Sequence, residues 1–246
     1  MKIERLLQSQ GFGTRRECRA LVRAGLVAIG GETVSDPFAE VSAEGLEFTV
    51  DGEVWAWRER VFVMLHKPVG YECSHRPQHH PSIYTLLPEP MVARGVQSVG
   101  RLDHDTSGLL LLSDDGGFIH RWSSGKKRIP KTYEVVLKHA ATEELVAALR
   151  EGVMLRDESV PVRALACERT GERALRLTIG EGKYHQVKRM VAAAGNRVET
   201  LHRSHFGGLA LPADLSFGEW RWLGEADLAA LAEAVPALET RATEGD

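Results

Sequence analysis

Asp103 and Asp105 stand two residues apart in the segment Gly100-Arg101-Leu102-Asp103-His104-Asp105-Thr106-Ser107-Gly108, directly before the apolar run Leu109 to Leu112. A glycine-bounded loop against a buried strand holds an acidic side chain where it can do chemistry. Aspartates in such loops also tie the backbone two residues on, and Asp105, beside Thr106, Ser107 and Gly108, carries that structural reading. Paired acids raise glycoside hydrolysis as well, but that needs carboxyl groups roughly 5 to 9 Å apart across a sugar ring, which two acids in one loop do not indicate. Basic residues gather in Glu181-Gly182-Lys183-Tyr184-His185-Gln186-Val187-Lys188-Arg189-Met190-Val191. A buried carboxylate tends to protonate, so one that must stay charged needs a cation beside it.

The elements that must position these groups can be read from periodicity. Val187, Met190, Val191 and Ala194 form one apolar helical face that Gly195 ends, with Lys188 on its border and Arg189 turned further away. Lys131 to Leu137 alternates as a strand, as do Leu175, Leu177 and Ile179, and Thr142 to Leu149 reads as a helix. On periodicity alone Tyr133 is a core strand residue. Val61 to Leu65 is an apolar strand running into His66-Lys67-Pro68-Val69-Gly70, a turn in which Lys67 is expected to be exposed. The stretch Cys73 to Pro90 reads as a loop, and its His75, His79 and His80 lack acidic or cysteine partners at metal-ligand spacing. Strands outnumber helices, so the larger part is expected to be a mixed, mostly antiparallel sheet flanked by helices, an α+β fold.

The N-terminal part differs. Ile3, Leu6 and Leu7 have helical spacing, and Thr14-Arg15-Arg16-Glu17 predicts a capping box opening a second helix that buries Cys18, Leu21 and Val22 before Gly25. Arg16, Arg19 and Arg23 fall together beside that stripe, either as a solvated face or as a surface for phosphates. Val27 to Val34 with Gly30-Gly31 at its centre predicts a hairpin. A linker is expected at Trp57 to Arg60.

The wording GRLDHDTSGLLLLSDDG resembles the central motif of the pseudouridine synthases, and KPVG, KTY and GKYHQVKRM are similar to further motifs of the RsuA-type, small-subunit ribosomal RNA enzymes. His66 stands where asparagine is commoner. RLLQSQGFGTRRECRALVRAGLVAIGGETVSDP is similar to an S4 RNA-binding domain. The resemblance implies an S4 domain and linker over 1–59, a catalytic domain over 60–235 and a tail at 236–246. It implies Asp103 as nucleophile, Lys188 as its cationic partner and Tyr133 as the aromatic receiving a flipped base. Arg101, beside the nucleophile, is expected to clamp phosphate or fill the vacated stack, unless it pairs with a loop aspartate. His185, Gln186 and Arg203 are expected to line the RNA channel, Arg189 to contact RNA, and Arg16, Arg19 and Arg23 to bind phosphates. The implied reaction is conversion of uridine to pseudouridine in 16S ribosomal RNA at the uridine called position 516. The same reaction on 23S RNA, or a non-catalytic RNA clamp in ribosome assembly, are the alternatives.

Composition sets bounds on these readings. The chain has 246 residues and a net charge of −3, unlike many RNA-binding proteins. Charge is local, with six basic against two acidic residues from Met1 to Arg23 and seven acidic against two basic from Glu219 to Asp246. No run approaches the roughly 20 apolar residues of a membrane span, and no signal peptide is evident. Cys18, Cys73 and Cys167 are isolated, which argues against disulfides or zinc and fits a reducing compartment. A cytoplasmic monomer is expected, without metal or cofactor, its partner 16S ribosomal RNA or a partly assembled small subunit.

Overall fold

The computed structural model describes residues 1–233; the expected tail at 236–246 lies outside the described residues. The chain forms two compact units, one of residues 1–61, 87–97 and 113–115, the other of 62–86, 98–112 and 116 onward.

In the first unit, α1 (Ile3–Ser9) and α2 (Arg15–Arg23) lie against a four-stranded sheet. The predicted capping box opens α2. Thr14 Oγ1 accepts from Glu17 N, and the Glu17 carboxylate accepts from Thr14 N at 2.7 Å, so two N–H groups at the helix start are paired. The sheet comprises β1 (Val27–Ile29), β2 (Glu32–Thr33), β3 (Glu47–Val50) and β4 (Glu53–Ala56), in the order β2-β1-β3-β4. Gly30 and Gly31 both take positive φ, 61° and 83°, as a two-residue hairpin turn requires. Ile3, Leu6, Leu7, Cys18 and Val22 close over Val27, Phe48 and Val50.

Segments 87–97 and 113–115 pack with residues 1–61 although they follow the expected cut at residue 60. Arg94, at the end of α3 (Glu89–Ala93), supplies the physical reason. Its guanidinium pairs with Asp114 at 2.7 Å and donates to Arg58 O (2.8 Å), Glu59 O (2.9 Å) and Gln10 Oε1 (3.0 Å), while Asp114 accepts from Val61 N.

The second unit is built on β5 (Phe62–Lys67), β6 (Gln97–Ser98), β7 (Thr106–Ser113), β8 (Lys131–Leu137), β9 (Ala166–Gly171), β10 (Ala174–Ile179), β11 (Val198–Phe206), β12 (Leu209–Ala210) and β13 (Trp220–Trp222). They form one sheet in the order β13-β5-β7-β11-β8-β10-β9, with β6 on β7 and β12 on β11. β7 and β11 run parallel, while β11 with β8, β8 with β10, β10 with β9 and β13 with β5 are antiparallel. Helices α4 (Gly116–Ser123), α5 (Glu143–Glu151), α6 (Gln186–Ala193) and α7 (Glu225–Glu233) complete the unit, α5 packing on β9 and α6 on β11. The stretch expected as a loop from Cys73 to Pro90 contains a 3-10 turn at Ile83–Leu86 and the start of α3.

β7 is buried along its whole length, which explains its unbroken apolar run. Each of Leu109 to Leu112, at 0% exposure, contributes about 1.5–3 kcal/mol relative to an exposed position. Gly108 has φ +111°, and a Cβ there would lie 2.3 Å from Arg203 O. Only glycine lets β11 run this close to the strand behind Asp103. Among the described residues no helix is long and apolar enough to cross a membrane.

Candidate active site

The loop Gly100 to Asp105 enters β7 and is fixed through its backbone. Gly100 turns it at φ +71°, Leu102 anchors it in the interior, and Thr106 N donates to Asp103 O at 3.1 Å. The strongest restraint is Lys67, which is completely buried, where the sequence led us to expect exposure. Its ammonium donates to Pro68 O (2.9 Å), Asp103 O (3.0 Å) and Thr106 O (2.9 Å), with His104 O at 3.5 Å. These carbonyls hold the charge inside, and burial still lowers the Lys67 pKa to about 8, against the raising influence of Cys73, Asp103 and Asp105.

With its backbone held, Asp103 presents its carboxylate to α6. Lys188 Nζ lies 3.1 Å from Asp103 Oδ2 and 2.5 Å from Asp105 Oδ1, and His185 Nε2 lies 3.4 Å from Asp103 Oδ1. Burial would lower the Lys188 pKa, but the hydrogen bonds and charges of Asp105 and Asp103 raise it above the ordinary lysine value. Burial likewise pushes Asp105 up, and Lys188 more than reverses that, holding Asp105 below the usual carboxylate range. Asp105 therefore shares the cation of Asp103. His185 caps α6 in the left-handed conformation, φ 47°, which turns its ring toward the loop.

Asp103 lines a cavity of about 490 Å³. Arg101, Tyr133, His185, Lys188, Gln186 and Arg203 also line it. Tyr133, 7% exposed, is both a core strand residue and part of the wall. Lys131 is held near Ile129 O at 2.8 Å, with burial, and secondarily Arg203, lowering its pKa to about 8. Arg189 is not in the wall; it pairs with Asp157 and donates to Tyr184 O at 3.0 Å. In the first unit Arg16 and Arg23 are exposed, whereas Arg19 pairs with the buried Glu4 and lies over the Phe38 ring.

Sequence reasoning passed over two features. Tyr184, 71% exposed, stacks on His185 with ring centroids 3.9 Å apart, so an aromatic pair extends outward from Asp103. Its only sequence signal is a tyrosine between two polar residues. The second feature is polar: Arg203 Nη2 and Thr106 Oγ1 are buried in the cavity wall without hydrogen-bond partners. In the histidine-rich loop, His75 stacks on Tyr84 and His80 on His104. Among the described residues no group of three or more His, Cys, Asp or Glu side chains is arranged to hold a metal.

The family model for RNA pseudouridylate synthase matches residues 61–193, and that for the S4 domain matches residues 1–45. An uncharacterized RNA pseudouridine synthase of Bacillus subtilis is 39% identical over 95% of this chain and 99% of its own length. The ribosomal small subunit pseudouridine synthase A of Escherichia coli K12 is 37% identical over 94% of this chain and all of its own. A crystal structure of a pseudouridylate synthase superposes with a TM-score of 0.66 at 38% identity, covering 94% of this chain and 99% of the other. With the aspartate, its cation and the sheet beneath them, these matches show that the chain belongs to the RNA pseudouridylate synthase family and carries an S4 domain at its N-terminus.

Proposed function

We propose that the chain converts one uridine of 16S ribosomal RNA, of the position-516 type, to pseudouridine, with Asp103 as the nucleophile. The observation that carries this is the Asp103 carboxylate held between Lys188 and His185 at a cavity of about 490 Å³ walled by Tyr133. The similarity over nearly the full length to enzymes named for the small subunit supports the choice of RNA.

The reaction breaks the bond from ribose C1′ to uracil N1, rotates the base and joins C1′ to C5. The proton lost from C5 is balanced by one gained at N1, so no redox partner or group donor is required. The uridine leaves its stack to reach the carboxylate. Asp103 attacks either the sugar or the base; Lys188 pairs with its carboxylate, and Tyr133 receives the displaced ring. Arg101, exposed at the mouth, engages the backbone or the vacated stack, and Arg16 and Arg23 bind phosphates at the S4 domain, Arg19 being taken up by Glu4. His185 contacts the RNA next to the target, whereas Arg189 is committed to Asp157 and the Tyr184 carbonyl. The enzyme works as a cytoplasmic monomer on the free RNA or a partly assembled subunit.

Asp103→Asn preserves shape and removes the negative charge. Release of tritium from C5-labelled uridine in 16S RNA should vanish in this variant while RNA binding and thermal unfolding stay near wild type. Wild-type release would remove Asp103 from its role, and release only from 23S RNA would reassign the substrate.

A further inference from the structure

Seven buried side-chain polar atoms among the described residues lack a hydrogen-bond partner, and three of them, on Thr106, Glu181 and Arg203, belong to residues lining the cavity beside Asp103. Unpaired buried polar groups are costly, and their collection in one cavity points to a ligand that completes them. Glu181 is the least constrained, with Lys183 within 3.8 Å and a side chain 38% exposed. Arg203 and Thr106 are 2% and 1% exposed, so neither can swing out to water.

The Arg203 guanidinium is fixed on two sides. Its Nε donates to Leu109 O at 2.7 Å, and its central carbon lies 5.2 Å from the Phe206 ring centroid. Lys131 approaches the same ring at 5.4 Å, so this corner gathers two cations. The backbone is fixed too, because Arg203 pairs with Gly108 on one side and Tyr133 on the other. What remains is the NH2 group at Arg203 Nη2, which can only donate, and the Thr106 hydroxyl, which can donate or accept.

Resting on the reading of this site as a uridine isomerase, we infer that Arg203 and Thr106 read the imide edge of the flipped uracil and so select uridine over cytidine. Arg203 Nη2 donates to the ring carbonyl at C4, and the Thr106 hydroxyl accepts from the adjacent N3–H. Cytosine carries an amino donor at C4 where Arg203 needs an acceptor, so it leaves Arg203 unpaired, while the Thr106 hydroxyl can turn to donate to the bare N3. A site built on such bonds rejects the mismatched base far more strongly than a merely apolar slot does.

The test combines enzyme variants with single-atom changes in the substrate. Wild type, Arg203→Met and Thr106→Val are assayed on 16S transcripts made with uridine, 2-thiouridine or 4-thiouridine, and the C-nucleosides are resolved chromatographically after digestion. Sulfur is the poorer acceptor, so wild type should slow roughly tenfold or more on the 4-thiouridine transcript, with 2-thiouridine as the control. Arg203→Met, slower on ordinary RNA, should lose little more on that transcript. Equal fold-losses in wild type and Arg203→Met on both would overturn the assignment. Thr106→Val is nearly isosteric and covers the case in which Arg203→Met does not fold; it should lose roughly tenfold in kcat/KM with its melting temperature nearly unchanged. A wild-type rate would overturn the pairing. If wild type makes no pseudouridine in any ribosomal RNA, the isomerase reading itself fails. Binding of uridine and cytidine 5′-monophosphates, followed by NMR shifts of the cavity residues, then decides the base preference separately, and equal binding overturns it.

Discussion

At the level of single residues, the site depends on one ammonium serving two carboxylates. Lys188 faces Asp103 and Asp105 together, whereas Arg189, its neighbour in sequence, is committed to Asp157 and the Tyr184 carbonyl. Lys188→Met should therefore slow turnover more than Arg189→Met. Without the cation, two carboxylates face each other and one takes up a proton toward neutral pH, so the Lys188→Met rate should recover partly as pH rises. A flat pH profile, or a worse defect in Arg189→Met, would reverse the assignment. Tyr133 offers a second test, because its ring is both packed and in the cavity wall. Tyr133→Phe keeps the ring and should retain most of the rate. Tyr133→Ala loses about 1–3 kcal/mol of base stacking on top of its packing. A phenylalanine variant as slow as the alanine one would make the hydroxyl the working group.

At the level of elements, local signals are legible in the sequence and long-range cages are not. Thr14 with Glu17, and Gly30-Gly31, announce a helix start and a hairpin because each device is completed within four residues. The border position of Lys188 on α6 is equally readable from helical geometry. Lys67 escapes such reading because its partners come from the loop at 103–106, and a lysine before Pro-Val-Gly carries no mark of carbonyls 36 residues away. Arg203 is expected in the channel and lines the cavity, but its unpaired nitrogen has no sequence signal. The β11 register shifts between Arg203 and His205, so the alternation that separates buried from exposed residues breaks there. Lys67→Met should test the cage. It leaves up to three buried carbonyls without a donor, at about 1–3 kcal/mol each, and should loosen the Asp103 loop and slow turnover. The sign of the pH effect follows from the depressed pKa. Below about pH 8 Lys67 is charged in both states; between there and 10.5 the unfolded chain binds the proton more tightly. Its contribution to stability rises with pH across that window, so wild type should gain on Lys67→Met from about pH 8 to 10 in urea unfolding. A constant difference would mean that the ammonium is not held in this state.

At the level of the whole molecule, a chain of net charge −3 must attract a polyanion through a local surface, and six of the first 23 residues are basic. The structure divides that set. Arg16 and Arg23 are exposed on α2, while Arg19 is drawn into its own unit by Glu4 and Phe38. Deleting residues 1–59 would be a poor test of this surface, because it also strips Arg94 of Gln10, Arg58 and Glu59. Charge reversal on the intact chain is cleaner. Arg16→Glu with Arg23→Glu should weaken binding to structured ribosomal RNA, and the slope of log binding constant against log salt should fall by about 1 for each phosphate left without its arginine. Arg19→Gln should change the slope less and the thermal stability more, since it leaves the Glu4 carboxylate buried without its partner. Tritium release from a short RNA fragment that engages only the catalytic cavity should be the same in the charge-reversal variant as in wild type. An unchanged salt slope after reversal would mean that α2 presents only a solvated face, and phosphate binding would then have to be sought among Arg101, Lys126 and Lys183 around the cavity.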